Sequence, residues 1–383
     1  MVTMTPASAT RPALFADAKT IVIKVGSALL VDESNNQINR NWLASIAADI
    51  AALKTAGKSV VVVSSGAIAL GSRMLKIHHR KLQLQEKQAA AATGQVILAR
   101  AWMDALESHQ VQTAQILLSP DDTETRRKHL NARATMSTLL GLDAVPVVNE
   151  NDTVATAEIR FGDNDRLAAR VAAMIGADML VLLSDVDGLY TSNPATDKTA
   201  THLAEVTHIT PQIMAMAGSA NAAYASGGMV TKLEAARIAT AAGCAMLICD
   251  GRHPAPLSKL EAGARSTRFA PTQSPHTARK QWIGGALNPR GKVTIDAGAQ
   301  TALQRGRSLL PAGIVTVSGH FERGDLIEIE NSEGQVIGHG LSGYSSTDTA
   351  IICGHNSADI ESLLGYRGRD EIIHADDLVI SDS

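Results

Sequence analysis

The amino-acid sequence predicts an α/β protein in which a domain with a mainly parallel sheet is followed by a small, mostly β domain. Between residues 20 and 268, short runs rich in Val, Ile and Leu alternate with longer Ala-rich segments of helical periodicity. Each short run is apolar throughout, which is the pattern of strands buried on both faces of a parallel sheet. Beyond residue 290, strand-like runs follow one another with glycine-containing turns between them.

The elements of the first domain can be assigned in chain order. The predicted strands are Thr20 to Val25, Lys58 to Ser64, Thr113 to Leu118, Ala144 to Val148, Met179 to Leu183 and Ala245 to Cys249. The predicted helices are the amphipathic segments Arg40 to Thr55, Gln88 to Glu107, Asp121 to Leu140, Asp165 to Ile175 and Lys232 to Ala242. In the third helix, for example, the spacing turns Leu130 toward the sheet and Arg127 toward solvent.

A change of composition separates the two domains. Residues 270–289 hold three prolines, two adjacent glycines and few apolar side chains, which is typical of an interdomain linker. The predicted strands beyond it are Gly291 to Ile295, Gly313 to Val317, Asp325 to Glu330 and Val336 to Gly340. The predicted organisation is a flexible N-terminal tail over 1–18, a first domain over 19–269, the linker, a second domain over 290–368 and a C-terminal tail over 369–383.

Composition and charge exclude several classes of protein. The 383 residues are 45% hydrophobic, enough for two cores, and carry a formal net charge of −3, which argues against chain-wide attraction to nucleic acid or anionic membrane. Aromatic residues make up only 3%, too few for a base-stacking platform. The three cysteines lack metal-ligand spacing, and no apolar run is long enough to cross a bilayer. We therefore expect a cytoplasmic protein that binds small molecules.

Polar or glycine-bearing turns follow four of the predicted strands. They are KVGS at 24–27, SSGA at 64–67, NEND at 149–152 and SD at 184–185. Ligands of an open parallel sheet bind at the carboxyl ends of its strands, and such turns let phosphate oxygens reach backbone N–H groups. Together they predict an anion pocket, although each turn alone is more often only a tight strand-to-helix connection. The chain has neither a P-loop nor a G-x-G-x-x-G motif after its first strand, which argues against P-loop NTPases and Rossmann dehydrogenases.

The stretch NENDTVATAEIRFGDND, residues 149–165, is dense in short acidic and amide side chains. Its carboxylates are Glu150, Asp152, Glu158, Asp163 and Asp165. Such a group beside a sheet edge suits either a polar substrate with an amino group or a polyphosphate carrying Mg²⁺. The alternative is a solvated acidic loop whose last residues cap the next helix.

The stretch SGGMVTK, residues 226–232, places paired glycines and a lysine where a loop meets a helix. Backbone N–H groups and the ammonium group of Lys232 would converge there on a phosphate. A solvated lysine is the alternative, but a cation in the first turn of a helix opposes the helix dipole. A bound anion explains the arrangement better.

These motifs, in this order, resemble those of the amino-acid kinase family. The resemblance rests on KVGS, SGAI at 65–68, the 149–165 stretch, SD with GLY at 188–190, and GGMVTK at 227–232, and it covers nearly the whole chain from residue 20. It implies a three-layer αβα fold around a mainly parallel sheet. Three positions depart from the family pattern: Ser184 where Thr is common, Asn193 where Asp is usual, and Ser226 where Thr is usual.

Within the family, the chain resembles the branch that moves the γ-phosphoryl group of ATP, with Mg²⁺, onto the side-chain carboxylate of L-glutamate in the first step of proline synthesis. The resemblance implies that Lys24 and Lys232 bridge the phosphoryl group and that Asp165 organises them. It implies glutamate binding by Ser65, Asp152 and Asn164. The ATP-binding residues that it implies are Lys24, Ser184, Asp185, Ser226, Gly227, Gly228, Met229, Val230, Thr231 and Lys232. Mg²⁺ is expected on the ATP phosphates, and no protein ligand for it is predicted.

The second domain resembles the PUA domain, on LLPAG at 309–313 and GHF at 319–321 before RGD at 323–325. PUA domains are best known from RNA-modifying proteins, so an RNA-binding regulatory protein is one alternative. Between Arg290 and Gly368, however, six Lys and Arg face nine Asp and Glu, whereas a surface for the phosphate backbone needs clustered cations. The other alternative is a family member that acts on aspartate, acetylglutamate or a nucleoside monophosphate.

The family resemblance also implies partners beyond the substrates. They are proline as a feedback inhibitor, a glutamyl-phosphate reductase that receives the product, and further copies of the chain in a dimer or tetramer. No membrane partner is expected.

Overall fold

The computed structural model of the chain describes residues 14–32, 37–154, 164–217, 228–284 and 289–380. Two compact units make up the chain. The first comprises Met1–Pro120 and Thr135–Thr272, and the second comprises Asp121–Ala134 and Gln273–Ser383. Within the described ranges, no helix is both long and apolar enough to cross a membrane.

An eight-stranded sheet forms the centre of the first unit. The strands up to residue 272 are β1 (Thr20–Val25), β2 (Val31–Asp32), β3 (Gln37–Ile38), β4 (Ser59–Ser64), β5 (Thr113–Leu118), β6 (Val145–Glu150), β7 (Met179–Ser184), β8 (Leu189–Tyr190), β9 (His202–Leu203), β10 (Glu205–Val206), β11 (Ala245–Asp250) and β12 (Ser266–Phe269). The sheet order is β10-β12-β11-β7-β1-β4-β6-β5, and among its neighbours only β11 and β12 pair antiparallel. The predicted mainly parallel sheet is confirmed.

Helices cover both faces of this sheet. The helices up to residue 272 are α1 (Ser27–Leu30), α2 (Arg40–Thr55), α3 (Ala67–Met74), α4 (Leu84–Glu107), α5 (Pro120–Glu124), α6 (Arg126–Gly141), α7 (Asn164–Ile175), α8 (Pro211–Met216), α9 (Met229–Ala241) and α10 (Pro256–Glu261). Ile23 of β1 shares a buried cluster with Ile46 of α2 and Leu98 of α4. The next side chain along β1, Lys24, points to the opposite face, where α7 packs on β1, β7 and α9.

Helix α9 begins three residues before the predicted start at Lys232, and two other predicted helices differ more from the structure. The single helix predicted over 121–140 is wrong, because α5 and α6 meet at Thr125. The Thr125 hydroxyl donates to Asp121 at 2.6 Å, a local bond of the kind that competes with the helical backbone pattern. Helix α4 begins four residues before the predicted start at Gln88, because the Gln83 and Glu86 side chains form a capping box around its first turn.

The carboxyl ends of the central strands meet along one edge of the sheet. In the register of the sheet, Val25 at the end of β1 lies beside Ser64 of β4 and Leu183 of β7, and Ser184 lies beside Asp250 of β11. The turns that follow β1, β4, β6 and β7 therefore lie next to one another. This edge is the location that the sequence predicted for an anion pocket.

A five-stranded sheet forms the second unit. Its strands are β13 (Gly291–Ile295), β14 (Ile314–Gly319), β15 (Leu326–Glu330), β16 (Val336–Leu341) and β17 (Leu378–Ile380), and its helices beyond residue 272 are α11 (Pro275–Gly284), α12 (Ala297–Gln304), α13 (Ser346–Ile352) and α14 (Ile360–Leu364). The order is β14-β13-β15-β16-β17, in which β13 and β15 pair parallel and the other neighbours antiparallel. Val293, Ile329, Phe321 and Ile352 lie in its core.

The structure differs from the sequence prediction at both ends of this unit. Helix α11 occupies much of the segment that was predicted as a linker, and β17 lies in the predicted C-terminal tail. Both elements are held by Asp377, whose buried carboxylate pairs with Arg133 at 2.7 Å and with Arg279. Such tertiary ion pairs leave no pattern in the local sequence.

Helices α3 and α4 cross in direct backbone contact. A methyl group placed on Gly94 of α4 would lie 1.8 Å from the Ala67 carbonyl oxygen, and one on Gly71 of α3 would lie 1.7 Å from the Ala90 carbonyl oxygen. Real carbon–oxygen contacts are never that short, so only glycine fits at either position. This crossing fixes how closely α4 approaches the end of β4.

Replacing Gly94 with alanine is expected to lower the free energy of unfolding by about 2 kcal/mol, because the two helices would have to separate. Urea unfolding followed by circular dichroism measures the change. Gly141→Ala is the matched control, since a Cβ on Gly141 at the end of α6 meets no atom within 4 Å. If the two variants were equally stable, the tight crossing would be contradicted.

Candidate functional site

A buried cluster of two lysines and one aspartate lies at the carboxyl edge of the sheet. Lys24 Nζ of β1 lies 2.5 Å from Asp165 Oδ1, and Lys232 Nζ of α9 lies 3.1 Å from Asp165 Oδ2. All three side chains are less than a tenth exposed. The structure thus brings together, within one ion-pair cluster, the three residues that the family resemblance implied as catalytic.

The charges of this cluster favour an anion. Burial alone would raise the pKa of the Asp165 carboxyl, but the attraction of Lys24 and Lys232 outweighs it and holds that pKa below its ordinary value. Lys24 and Lys232 thus place two buried ammonium groups next to this carboxylate. Asp165 and Lys232 lie in the first turns of α7 and α9, whose positive ends add to the attraction.

Glycine turns surround the cluster. Gly66 precedes α3 with φ 115°, a left-handed conformation that glycine adopts without strain. Gly228 precedes α9, and its carbonyl oxygen accepts a 2.7 Å bond from the Thr231 hydroxyl, which also lies 3.3 Å from Asp165. Backbone N–H groups at such turns are donors for phosphate oxygens.

A line of polar side chains lies beside the cluster. Asn164 Nδ2 donates to Ser65 Oγ at 2.6 Å and to Asn149 Oδ1 at 3.1 Å, and Asn149 Nδ2 donates to Gln95 Oε1 at 2.8 Å. The Ser65 hydroxyl keeps its own hydrogen for a further acceptor. Ser65 and Asn164, which the resemblance implied as substrate-binding, are therefore in direct contact.

Asp152, the third residue that the resemblance implied for the substrate, is buried just beyond β6. Its Oδ1 atom has no hydrogen-bond partner in the described part of the chain, and neither has Asn164 Oδ1. Burial raises the pKa of Asp152 to about 6. A buried acceptor without a donor is costly, so this carboxylate is suited to a cationic ligand.

The residues predicted for the nucleotide lie along the same edge. Ser184 ends β7, and its hydroxyl donates to Asp185 at 3.0 Å. Met229 and Val230, both half-buried, form the first turn of α9. Ser226 and Gly227 lie outside the described residues, as do Glu158 and Asp163 of the acidic stretch.

Two residues of the candidate site were not predicted from the sequence. Asn149 belongs to the NEND motif but had no assigned role, and Gln95 had no motif at all. One feature of the sequence could have indicated Gln95. It is a long polar side chain that directly follows Gly94 in an Ala-rich, mostly apolar part of α4.

The part of the chain that the structure describes contains no group of three His, Cys, Asp or Glu side chains able to hold a metal ion. Asp165 is already paired with two lysines, while Asp185 is exposed beside Ser184. A site with so few carboxylates fits an ion such as Mg²⁺, which keeps several waters and binds through one or two carboxylates together with substrate phosphates.

Comparisons with known proteins agree with the two-unit organisation. The model of the Amino acid kinase family matches residues 19–250, and the model of the PUA domain matches residues 291–364. Among curated proteins, "Glutamate 5-kinase" of Paramagnetospirillum magneticum is 58% identical over 95% of this chain and 98% of its own length. "Glutamate 5-kinase" of Gluconobacter oxydans is 54% identical over 98% of both chains.

Solved structures resemble the chain more distantly. A UMP kinase from Bacillus anthracis is 16% identical, with a TM-score of 0.47, and the match covers 67% of this chain and 98% of that chain. A carbamate kinase from Giardia lamblia bound to AMP-PNP is 17% identical, with a TM-score of 0.48, over 67% of this chain and 99% of that chain.

The raised pKa of Asp152 implies a pH-dependent stability. Because the folded state holds this proton up to about pH 6, it binds more protons than the unfolded state from roughly pH 4 upward. Stability should therefore fall as the pH rises through that window. Asp152→Asn is expected to be more stable than the wild type by about 2 kcal/mol above pH 7, and equally stable near pH 4.

Urea unfolding at a series of pH values measures this difference. Asp17→Asn, a change of the same type at an exposed position before β1, is the control and should follow the wild type. A difference between Asp152→Asn and the wild type that stayed constant with pH would show that Asp152 ionises normally.

Proposed function

We propose, on the premise that the chain belongs to the amino acid kinase family, that it has glutamate 5-kinase activity. The reaction transfers the γ-phosphoryl group of ATP to the side-chain carboxylate of L-glutamate and yields L-glutamyl 5-phosphate and ADP. Relatives named glutamate 5-kinase match nearly the whole chain at 54–58% identity. The structural observation that carries the proposal is the buried cluster of Lys24, Asp165 and Lys232.

The chemistry of the proposed reaction explains why the cluster needs no general base beside it. A carboxylate has a reference pKa of about 4.3, so the nucleophile is already ionised at neutral pH and needs no general base. The obstacle is the approach of one anion to another. Lys24 and Lys232 are suited to neutralise the phosphoryl group from two sides, while Asp165 keeps both ammonium groups oriented. The glycine turns supply N–H donors at the same edge.

The polar side of the site suits an amino-acid substrate. Asp152 is proposed to pair with the substrate ammonium group, which would supply the donor that its buried Oδ1 lacks. The Ser65 hydroxyl is free to donate to a carboxylate oxygen. Ser184, Asp185 and the first turn of α9 are proposed to bind the nucleotide, together with Ser226 and Gly227.

Mg²⁺ is proposed to accompany ATP. When bound, it would neutralise part of the charge of the β- and γ-phosphates. Asp185, exposed directly after β7, is proposed to approach it, since Asp165 is engaged by the two lysines.

The proposal extends to partners and location. Because an acyl phosphate hydrolyses readily, a glutamyl-phosphate reductase is a fitting recipient of the product. Proline is proposed as a feedback inhibitor by analogy with the family. A dimer or tetramer would cover Val96, which is 70% exposed on α4. A cytoplasmic location fits the three cysteines, all of which are free.

The direct test is an assay of the purified chain with glutamate, ATP and Mg²⁺. ADP release that depends on glutamate is expected, together with a γ-glutamyl hydroxamate when hydroxylamine is added to trap the acyl phosphate. Aspartate, acetylglutamate and UMP serve as comparison substrates. Absence of both products, or a preference for another acceptor, would refute the proposed activity.

Lys232→Met is expected to lower kcat by a factor on the order of 10² to 10³ while the KM for glutamate changes little, because the lysine charge acts mainly on the transferring phosphoryl group. Steady-state kinetics measures both constants. Lys259→Met, at an exposed position of α10, is the matched control and should behave like the wild type. An effect of Lys232→Met confined to KM would contradict the assigned role.

A further inference from the structure

Three side-chain amides form a series behind the carboxyl edge of the sheet. Gln95 Oε1 accepts from Asn149 Nδ2 at 2.8 Å, and Asn149 Oδ1 accepts from Asn164 Nδ2 at 3.1 Å. Asn164 Nδ2 also donates to Ser65 Oγ at 2.6 Å. All three amides are less than a tenth exposed, so their hydrogen bonds do not compete with bulk water. We call Gln95, Asn149 and Asn164 the amide series.

The amide series has a direction. Gln95 and Asn149 each accept through the amide oxygen from the next amide of the series, and Asn164 gives both of its amide hydrogens to protein acceptors. What remains is one unpartnered group at each end within the described residues: the Nε2 donor of Gln95 and the Oδ1 acceptor of Asn164. If all three amides were turned over, Asn164 would instead offer N–H hydrogens to a ligand. The direction of the series therefore determines whether Asn164 presents an acceptor or a donor to a ligand.

The free amide oxygen of Asn164 resembles a second unpartnered acceptor in the site, the carboxylate of Asp152. Asp152, which begins a single helical turn two residues after β6, also has a buried oxygen without a partner. Asn149 within β6 ties Asn164 to the same strand end. Two buried acceptors attract the N–H donors of an ammonium group and disfavour a carboxylate.

We propose that Gln95 is a positioning residue that, by accepting from Asn149, turns the Asn164 amide oxygen toward the ammonium group of the substrate. The inference rests on the proposed function, because it assigns the atom that recognises the amino group of glutamate. It also restricts Asn164 to binding the substrate through its amide oxygen, since both of its amide hydrogens are already donated.

The placement of Gln95 on α4 supports this role. Gly94 allows α4 to lie against α3, and Trp102, two turns further along α4, donates to Ser64 Oγ at 2.9 Å. The buried face of α4 thus contacts the ends of both β4 and β6. With a hydrocarbon at position 95, Asn149 Nδ2 would lose its acceptor, and the amides of Asn149 and Asn164 would be free to turn over.

The test compares three variants by calorimetric binding of glutamate and of glutarate, a dicarboxylate that lacks the ammonium group. Gln95→Met is expected to weaken glutamate binding about tenfold, because one hydrogen bond to a charged group would be lost. Glutarate binding should be unchanged. Gln95→Glu should restore glutamate binding, because a carboxyl oxygen still accepts from Asn149. Gln85→Met, the same change at an exposed position of α4, is the control and should match the wild type.

Equal weakening of glutamate and glutarate binding in Gln95→Met would indicate general packing damage and overturn the proposal, as would unchanged glutamate binding. Steady-state kinetics adds a second criterion, in which Gln95→Met should raise the KM for glutamate and leave the KM for ATP unchanged. The binding experiment does not require turnover. Suppose that the wild type binds glutamate more tightly than Gln95→Met does and yet forms no acyl phosphate. That result would refute the proposed function and leave this inference standing.

Discussion

The buried carboxylate of Asp165 is the constraint on which the rest of the first unit depends. It pairs with lysines 141 positions before it and 67 positions after it, so β1, α7 and α9 must converge at one point of the sheet edge. Without this carboxylate, two buried ammonium groups would lose the ion pair that they share, at a cost of several kcal/mol. The packing of α7 on β1 and α9 is thus tied to the same interaction that orients the cations.

The cluster also links the fold to its chemistry. It places two buried ammonium groups beside the amino-terminal ends of α7 and α9, an arrangement that favours an anionic ligand. Asp152 and Asn164, on the polar side of the site, each have a buried oxygen without a hydrogen-bond partner in the described part of the chain. A nucleotide phosphate would suit the two lysines, and the ammonium group of an amino acid would suit the two buried oxygens.

The sequence predicted the parts of the fold that local patterns determine. Continuous apolar runs placed β1, β5 and β13 at their observed bounds. Lys24, Asp165 and Lys232 could be identified because motifs surround them. Helix α11 and strand β17 could not be predicted in this way, because Asp377 holds them through arginines far away in sequence. Gln95 was missed for a related reason: its role depends on a hydrogen bond to a strand 54 residues further along the chain.

Helix α4 connects the packing of the first unit to the geometry of its site. Its approach to α3 is limited by two glycines, and the same helix carries Gln95 and Trp102 to the ends of β6 and β4. Hydrogen bonds weaken steeply beyond about 3.2 Å, so a shift of α4 by even part of an ångström would loosen the contact between Gln95 and Asn149. The amide series therefore depends on the missing side chain at Gly94 as much as on the amide of Gln95.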